Sequence, residues 1–454
     1  MLLALLALSA AAWIPARWSW NEAASLELLA GTPVNCLLVE QASREFAAAA
    51  AARGVTVLAV ARPGAELESV IQHAIESRLA GVVLEGAFDP AARHLAGRLL
   101  AQAGLTLIEL LPRAQLRLDS EAAVIGTAQG LWPGIRVFES GAIRAAPTGS
   151  PWVETNTGFL RHLRAATDAP IWIANLPPAK TVVPVERYLG AIADAAIAGA
   201  RWVVALDGEL ERRLAARDPK ALAAWKRIAA HLKFYEDHAE WRSWKPAGQL
   251  AIIQDEQSGA LLGGGIVDMI AARHVPVRVV PRQRLNAEAL RGARLALNVD
   301  PASLSDSDKE VLRSFTRGGG TLLSGPPGWK FPMLDADRIS LDEAQLDRLT
   351  EIWREVNSLI GRRNLGARLF NVSGMLSNLL ARPDGRQAVL HLVNYTSYPA
   401  ENITVHLAAN YSRALLLRPE EPSRELALYR IEEGVGVEID RISSCAALLL
   451  DWRQ

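Results

Sequence analysis

PIWIANLPPAKTVVPVERYLGAIADAAIAGARWVVALD, residues 170–207, reads as one strand–helix–strand unit. The apolar run 171–174 stops at Asn175 and two prolines, a helix follows over 185–200, and a second apolar run ends on Asp207. Two strands joined through a helix lie parallel. Runs without polar alternation are covered on both faces.

The unit recurs toward the N-terminus. NCLLVE (35–40), VTVLAV (55–60), GVVLEG (81–86) and LTLIEL (105–110) are short apolar runs, and the segments between them have helical character. Residues 43–54 are Ala-rich and end on Gly54, a helix-stopping residue. In 65–81 the residues Leu67, Val70, Ile71, Ala74, Ile75 and Leu79 share one helical face. A further strand is expected around Val124 to Thr127, followed by a long loop over 141–156 and a helix from Thr157. A long helical stretch over 209–241 closes the series. Seven clear strands alternating with helices predict an α/β fold with a (β/α)8-type barrel, either complete or lacking a strand. An open doubly wound sheet is the alternative.

Beyond Pro246 a second α/β pattern begins, with strands QLAIIQD, VPVRVV, RLALNVD and GTLLSG. From Asn371 onward, closely spaced alternating runs separated by turn residues predict a small antiparallel β-sandwich. The expected division is a leader at 1–17, a barrel at 18–246, a smaller α/β domain at 247–335, a helical connector at 336–370 and the sandwich at 371–454. A chain of 454 residues is long enough for several cores.

Lys+Arg and Asp+Glu both number 49, and no basic stripe stands out, which argues against nucleic acid as a partner. The opening MLLALLALSAAAWIPA has the length of a secretory h-region followed by small residues, although no Lys or Arg stands near Met1. It is too short to span a bilayer, so the protein is expected to be secreted or periplasmic and not integral to a membrane. Cleavage is expected between Ala11 and Arg17, with a first helix of the fold as the alternative. Cys36 and Cys445 lie in apolar runs and read as buried thiols. No dinucleotide fingerprint, P-loop lysine, HExxH or GxSxG is present, so no cofactor and no metal is expected.

Active sites of parallel barrels form at the C-terminal ends of the strands. Here those ends carry Glu40, Glu85, Glu109, Asn175 and Asp207, with Gln129 and Trp132 near the fifth run. Two carboxylates across one mouth suit glycoside hydrolysis, one giving a proton and the other attacking or activating water. Polar residues at strand ends also serve simply to return the chain to water. The loop PTGSPWVETN adds Trp152, Glu154 and Asn156, in which an indole can stack on a sugar while the acid and amide take hydroxyls. The competing reading is a helix start, with Thr155 or Asn156 as cap and Trp152 as staple.

The order barrel, α/β domain with RLALNVDPASLSDSDKEVLRSFTRGGGTLLSGPPGW, and sandwich with AVLHLVNYTSYPAENITVHL resembles β-galactosidase-type glycoside hydrolases. The resemblance implies a glutamine amidotransferase-like middle domain of flavodoxin-like fold through which copies of the chain form a homo-oligomer. It implies a carbohydrate substrate, an acid after the fourth strand and a nucleophile after the seventh. Counted over the seven runs, these are Glu109 and Asp207, with Glu209 as a substitute for the latter. The chain departs from the family in lacking an Asn before Glu109 and in carrying Asp207 where the family has Glu. A carbohydrate-binding protein without turnover and an assembly protein are the other two readings.

Overall fold

The computed structural model describes residues 10–118, 122–145, 150–254, 256–299, 301, 304–325, 339–360 and 366–452, with only the backbone described over 256–263. The chain divides into two units: Met1–Gly130, Thr167–Ala196 and Ala200–His238 form the first, and Leu131–Ala166, Ile197–Gly199 and Ala239–Gln454 the second.

The first unit is an eight-stranded parallel barrel. Its strands are β1 (Pro15–Arg17), β2 (Cys36–Val39), β3 (Thr56–Ala61), β4 (Gly81–Glu85), β5 (Thr106–Leu111), β6 (Ile125–Thr127), β7 (Ile171–Ile173) and β8 (Arg201–Trp202), hydrogen-bonded in that order. A parallel bridge between Ala16 and Val204, with Arg17 N donating to Val204 O at 2.7 Å, joins the last strand region to the first. The strand absent from the sequence reading is therefore β1. It lies at the end of the stretch expected as a leader, most of which falls outside the described residues. Ala10 and Trp13 of that stretch are buried in the barrel core.

Period-2 alternation decides what fills the barrel. Cys36, Leu38, Leu58, Val60, Val83, Ile108, Leu110, Val124, Trp172 and Val203 form one buried cluster. Both cysteines are buried and in no disulfide, and burial raises the pKa of Cys36. Where strands approach most closely, a side chain does not fit. A Cβ on Gly81 would lie 2.0 Å from the Thr106 carbonyl oxygen of the neighbouring strand. Because backbone cannot yield as a side-chain tip can, Gly81→Ala is expected to destabilise the protein by about 2–4 kcal/mol. A urea midpoint unchanged from the parent would contradict this packing.

Helices α1 (Arg44–Ala51), α2 (Leu67–Glu76) and α3 (Pro90–Ala103) follow β2, β3 and β4. Ser43 caps α1 through Phe46 N, and Asp89 caps α3 through Ala92 N. In the second unit, helix α4 (Thr157–Ala166) precedes β7 in sequence; in the first, α5 (Val185–Ala196) follows β7, and α6 (Gly208–Ala215) and α7 (Pro219–Asp237) follow β8.

The second unit contains a parallel sheet of β9 (Leu250–Gln254), β10 (Val277–Pro281), β11 (Leu295–Asn298) and β12 (Thr321–Ser324), with helices α8 (Glu256–Ala271) and α9 (Asp306–Arg317). The sheet order β10-β9-β11-β12 places the second strand outside the first, the order of flavodoxin-like sheets. Helix α10 (Glu343–Ile360) leads to the sandwich. Its strands are β13 (Ala367–Phe370), β14 (Met375–Ala381), β15 (Gln387–Asn394), β16 (Ala400–Leu407), β17 (Tyr411–Arg418), β18 (Glu421–Leu426), β19 (Tyr429–Ile431), β20 (Gly434–Ile442) and β21 (Cys445–Trp452). One sheet runs β14-β15-β21-β17-β18, extended beyond β14 by Lys245–Pro246, and the other runs β13-β16-β20-β19. Leu390, Leu392, Ile403, Val405, Val437, Ile439 and Leu448 fill the space between their inner faces. Among the described residues no helix is long and apolar enough to cross a membrane.

Candidate active site

At the mouth of the barrel the interior alternation continues past the apolar layers onto charged residues. Leu38 is followed by Glu40, Val60 by Arg62 and Val83 by Glu85 at the same parity, and β1 ends on Arg17. These four side chains form one ion-pair network. Glu85 is bound by Arg17 through one oxygen and by Arg62 Nε at 3.2 Å through the other, while Arg62 Nη1 also reaches Glu40. The side chains of Arg17 and Glu85 are only 10% and 9% exposed, whereas that of Glu40 is 69% exposed. Burial, with the charge of Arg62, pulls the Arg17 guanidinium down to about 10, which leaves it charged at neutral pH.

Glu109 is placed elsewhere. On β5 its neighbours Ile108 and Leu110 point into the barrel, so Glu109 faces the helix layer and pairs with Arg93 of α3 at 2.9 Å. Asp207 is buried and fully engaged. One carboxylate oxygen accepts Glu209 N and Leu210 N at 3.1 Å each, capping α6, and the other accepts the Tyr188 hydroxyl at 2.8 Å and Val183 N at 3.2 Å. The two residues expected as a catalytic pair thus have separate structural partners. With β1 counted, Glu109 lies within the fifth strand, two residues before its end, and Asp207 follows the eighth. Glu85 ends the fourth, and Asn175 follows the seventh. Asn175 donates to Gly130 O at 2.6 Å. Gln129 accepts Arg113 N at 2.9 Å through its side chain. Glu209 is paired with Arg212 on the surface, which lowers its pKa.

A carboxylate missed in the sequence stands on the first turns of α6. Glu211 is half-buried and its pKa is raised, chiefly by burial and further by the charge of Asp207, against a lowering hydrogen bond from Ser19. Ser19 lies two residues beyond Arg17, so the bond ties Glu211 to the segment that delivers Arg17 to Glu85. Arg17 and Arg62 were also missed. The signal for both was the parity that marks Glu40 and Glu85, once β1 is recognised as a strand.

The residues of the 150s belong to the second unit. Trp152 is buried within a hairpin whose strands Gly134–Ile135 and Val153–Glu154 pair antiparallel, and Glu154 is ion-paired with Arg136. Asn156 clamps the backbone of Leu131, accepting from its N at 2.8 Å and donating to its O at 2.9 Å. Thr155 Oγ1 accepts Thr157 N, and Asp268 of α8 accepts Gly158 N at 2.7 Å. These contacts fit the helix-start reading of the loop. Trp132 is half-buried. Among the described residues no group of three or more His, Cys, Asp or Glu is placed to hold a metal ion.

The fold has solved counterparts among glycoside hydrolases. Alpha-L-fucosidase isoenzyme 2 from Paenibacillus thiaminolyticus superposes with a TM-score of 0.64 at 10% identity, covering 97% of this chain and all, 100%, of that one. A rhamnosidase from Novosphingobium sp. PP1Y gives a TM-score of 0.46 at 11% identity over 86% of this chain and 39% of the other. Apo exo-carrageenase GH42 from Bacteroides ovatus gives 0.43 at 10% identity over 80% and 55%. No family model and no curated protein matches the sequence. At such identities the likeness is one of fold.

Proposed function

We propose that the protein is a carbohydrate-active enzyme of the glycoside hydrolase type whose site is the barrel mouth, with Glu85 as the anionic carboxylate and Glu211 as the proton donor. The observation that carries this reading is Glu85 itself. It is a buried carboxylate at the C-terminal end of a barrel strand, ion-paired to two arginines. Such a group serves as nucleophile or as the base that activates water. Glu211, with its raised pKa, supplies the complementary acid. In the reaction Glu211 transfers its proton to the glycosidic oxygen as the bond to the anomeric carbon breaks. Glu85 either bonds to that carbon or takes a proton from the attacking water. The domain order supports the β-galactosidase-type reading, with the middle domain as assembly surface and a secreted or periplasmic place of action.

The test is hydrolysis of aryl α-L-fucosides and β-galactosides, then of a wider panel of aryl glycosides. Turnover of at least one is expected, reduced by about 10³-fold in Glu85→Gln and by about 10²–10⁴-fold in Glu211→Gln. Loss of the basic limb of the pH profile in Glu211→Gln would mark it as the acid. Full rate in Glu85→Gln would remove the site assignment. A second reading is favoured by the near balance of charge in the network, where two arginines already neutralise Glu40 and Glu85. It is a sugar-binding mouth without turnover, and glycan binding lost in Glu85→Gln with no hydrolysis anywhere would establish it.

A further inference from the structure

The outer face of the sheet β13-β16-β20-β19 carries a row of aromatic and charged side chains unrelated to the barrel mouth. Strand register sets the row. Arg368 pairs with His406, His406 with Gly436 and Gly436 with Tyr429; one step along, Phe370 pairs with Thr404 and Thr404 with Glu438. Their neighbours Leu369, Val405 and Val437 point the other way, into the sandwich core. The row therefore faces outward on all four strands.

Tyr429 is held in place by its surroundings. A Cβ on Gly436 would lie 2.3 Å from the Tyr429 ring, so the ring rests across the glycine. Gly436 is buried there, although it points to the outer side of the sheet. The Tyr429 hydroxyl donates to Glu438 Oε1 at 2.7 Å, and Thr404 donates to Oε2 of the same carboxylate at 2.8 Å. The ring lies over Gly436, and Tyr429 as a whole remains 39% exposed. Phe370 is 36% exposed, with the Arg368 guanidinium 5.1 Å from its centroid. His406 stands between them, 4.8 Å from Phe370 and 6.3 Å from Tyr429.

From this arrangement we propose that the outer sheet face is a second, non-catalytic binding site for an uncharged glycan chain, with Tyr429 and Phe370 as stacking platforms. His406 bridges the two platforms, 4.8 Å from Phe370 and 6.3 Å from Tyr429, so both lie within reach of neighbouring sugars of one chain. A flat, immobilised aromatic ring offers an apolar surface at little entropic cost. Arg368, His406 and Glu438 beside the rings supply donors and acceptors for hydroxyls. Arg368 and Glu438 carry opposite charges within the row, which therefore has no field of one sign to attract a polyanion. Two part-exposed rings are also far short of the roughly 800 Å² per partner that a stable protein interface buries. Cross-strand packing alone would also place aromatics over a glycine, but that role requires no ligand.

The experiment is native affinity electrophoresis of the full chain in gels cast with neutral soluble β-glucan, galactan or galactomannan, and with polygalacturonate as the anionic comparison. The Glu85→Gln protein is used as parent, so hydrolysis is suppressed, and retention by the sheet face is separated from retention at the mouth by the substitutions on that face. Retardation is expected in at least one neutral gel, with Tyr429→Ala and Phe370→Ala each weakening it by at least about tenfold. Because Tyr429→Ala uncovers Gly436, its thermal unfolding is measured alongside. Phe370→Ala carries the test if Tyr429→Ala is unstable. No retardation in any neutral gel, retardation only by polygalacturonate, or unchanged retardation in a folded Phe370→Ala protein would each overturn the proposal. Failure of hydrolysis at the mouth leaves these outcomes unaffected.

Discussion

Glu85→Ala will destabilise the barrel by about 3–5 kcal/mol, the range found when one partner of a buried ion pair is removed. The substitution leaves Arg17, only 10% exposed in its side chain, without its anion and beside the positive Arg62. Arg62 itself is 39% exposed and can turn to water or stay with Glu40, so its share of the loss is small. Adding Arg17→Met to Glu85→Ala removes the stranded charge and should recover most of the stability. Urea unfolding of the four proteins in this cycle gives the coupling directly. A loss below about 0.5 kcal/mol for Glu85→Ala would place the pair in solvent, where surface bridges contribute little. The cycle also governs how activity is read: Glu85→Gln keeps volume and hydrogen bonding, whereas an inactive Glu85→Ala protein could simply be unfolded.

Most of the barrel was legible because each strand is a compact apolar run bounded by helix stops. β1 was not. Its three residues, Pro15–Arg17, follow a longer apolar stretch whose composition suits a leader, so the strand signal was submerged. That single omission moved every strand count by one and carried the acid and nucleophile positions to Glu109 and Asp207. The alternation inside LTLIELL already held the correction for Glu109, since Ile108 and Leu110 are the buried pair and the residue between them must face out. Asp207 stands beyond the eighth strand, where one oxygen caps α6 through Glu209 N and Leu210 N and the other is held by Tyr188 and Val183, contributed from another part of the chain. The network of Arg17, Glu40, Arg62 and Glu85 was half legible. Its acids stood out as polar ends of apolar runs, whereas arginine at a strand end reads as ordinary surface until parity places it inside. The middle domain and sandwich were legible from strand spacing, while the aromatic row on the outer sheet depends on cross-strand register, which no single strand encodes.

Acid will weaken both units before any carboxylate pair is broken. His231 on α7 in the first unit and His274 after α8 in the second are both pulled from 6.5 to about 4 by burial, with Arg227 and Arg273 respectively adding repulsion. A hydrogen bond to Arg227 O opposes the shift at His231. In the unfolded chain both titrate near 6.5, so between 6.5 and 4 the unfolded state binds more protons than the folded one. Stability is therefore fully present above pH 6.5 and falls as the pH drops toward 4, by up to about 3 kcal/mol per histidine. Carboxylates with lowered values, such as Asp218 and Asp306, act in the same direction only below their ordinary 3.8. Glu211, with its raised pKa, acts in the opposite direction, because protonation relieves its burial. Between pH 6.5 and 5 the two histidines and Glu211 act in opposite directions, so the histidine share is read from the difference between the parent and the histidine variants. Urea unfolding across this interval should show a rising slope with pH, reduced in His231→Asn and again in His274→Gln. A flat profile would mean that both imidazoles accept protons in the folded protein, and hence that water reaches the interior positions where the packing places them.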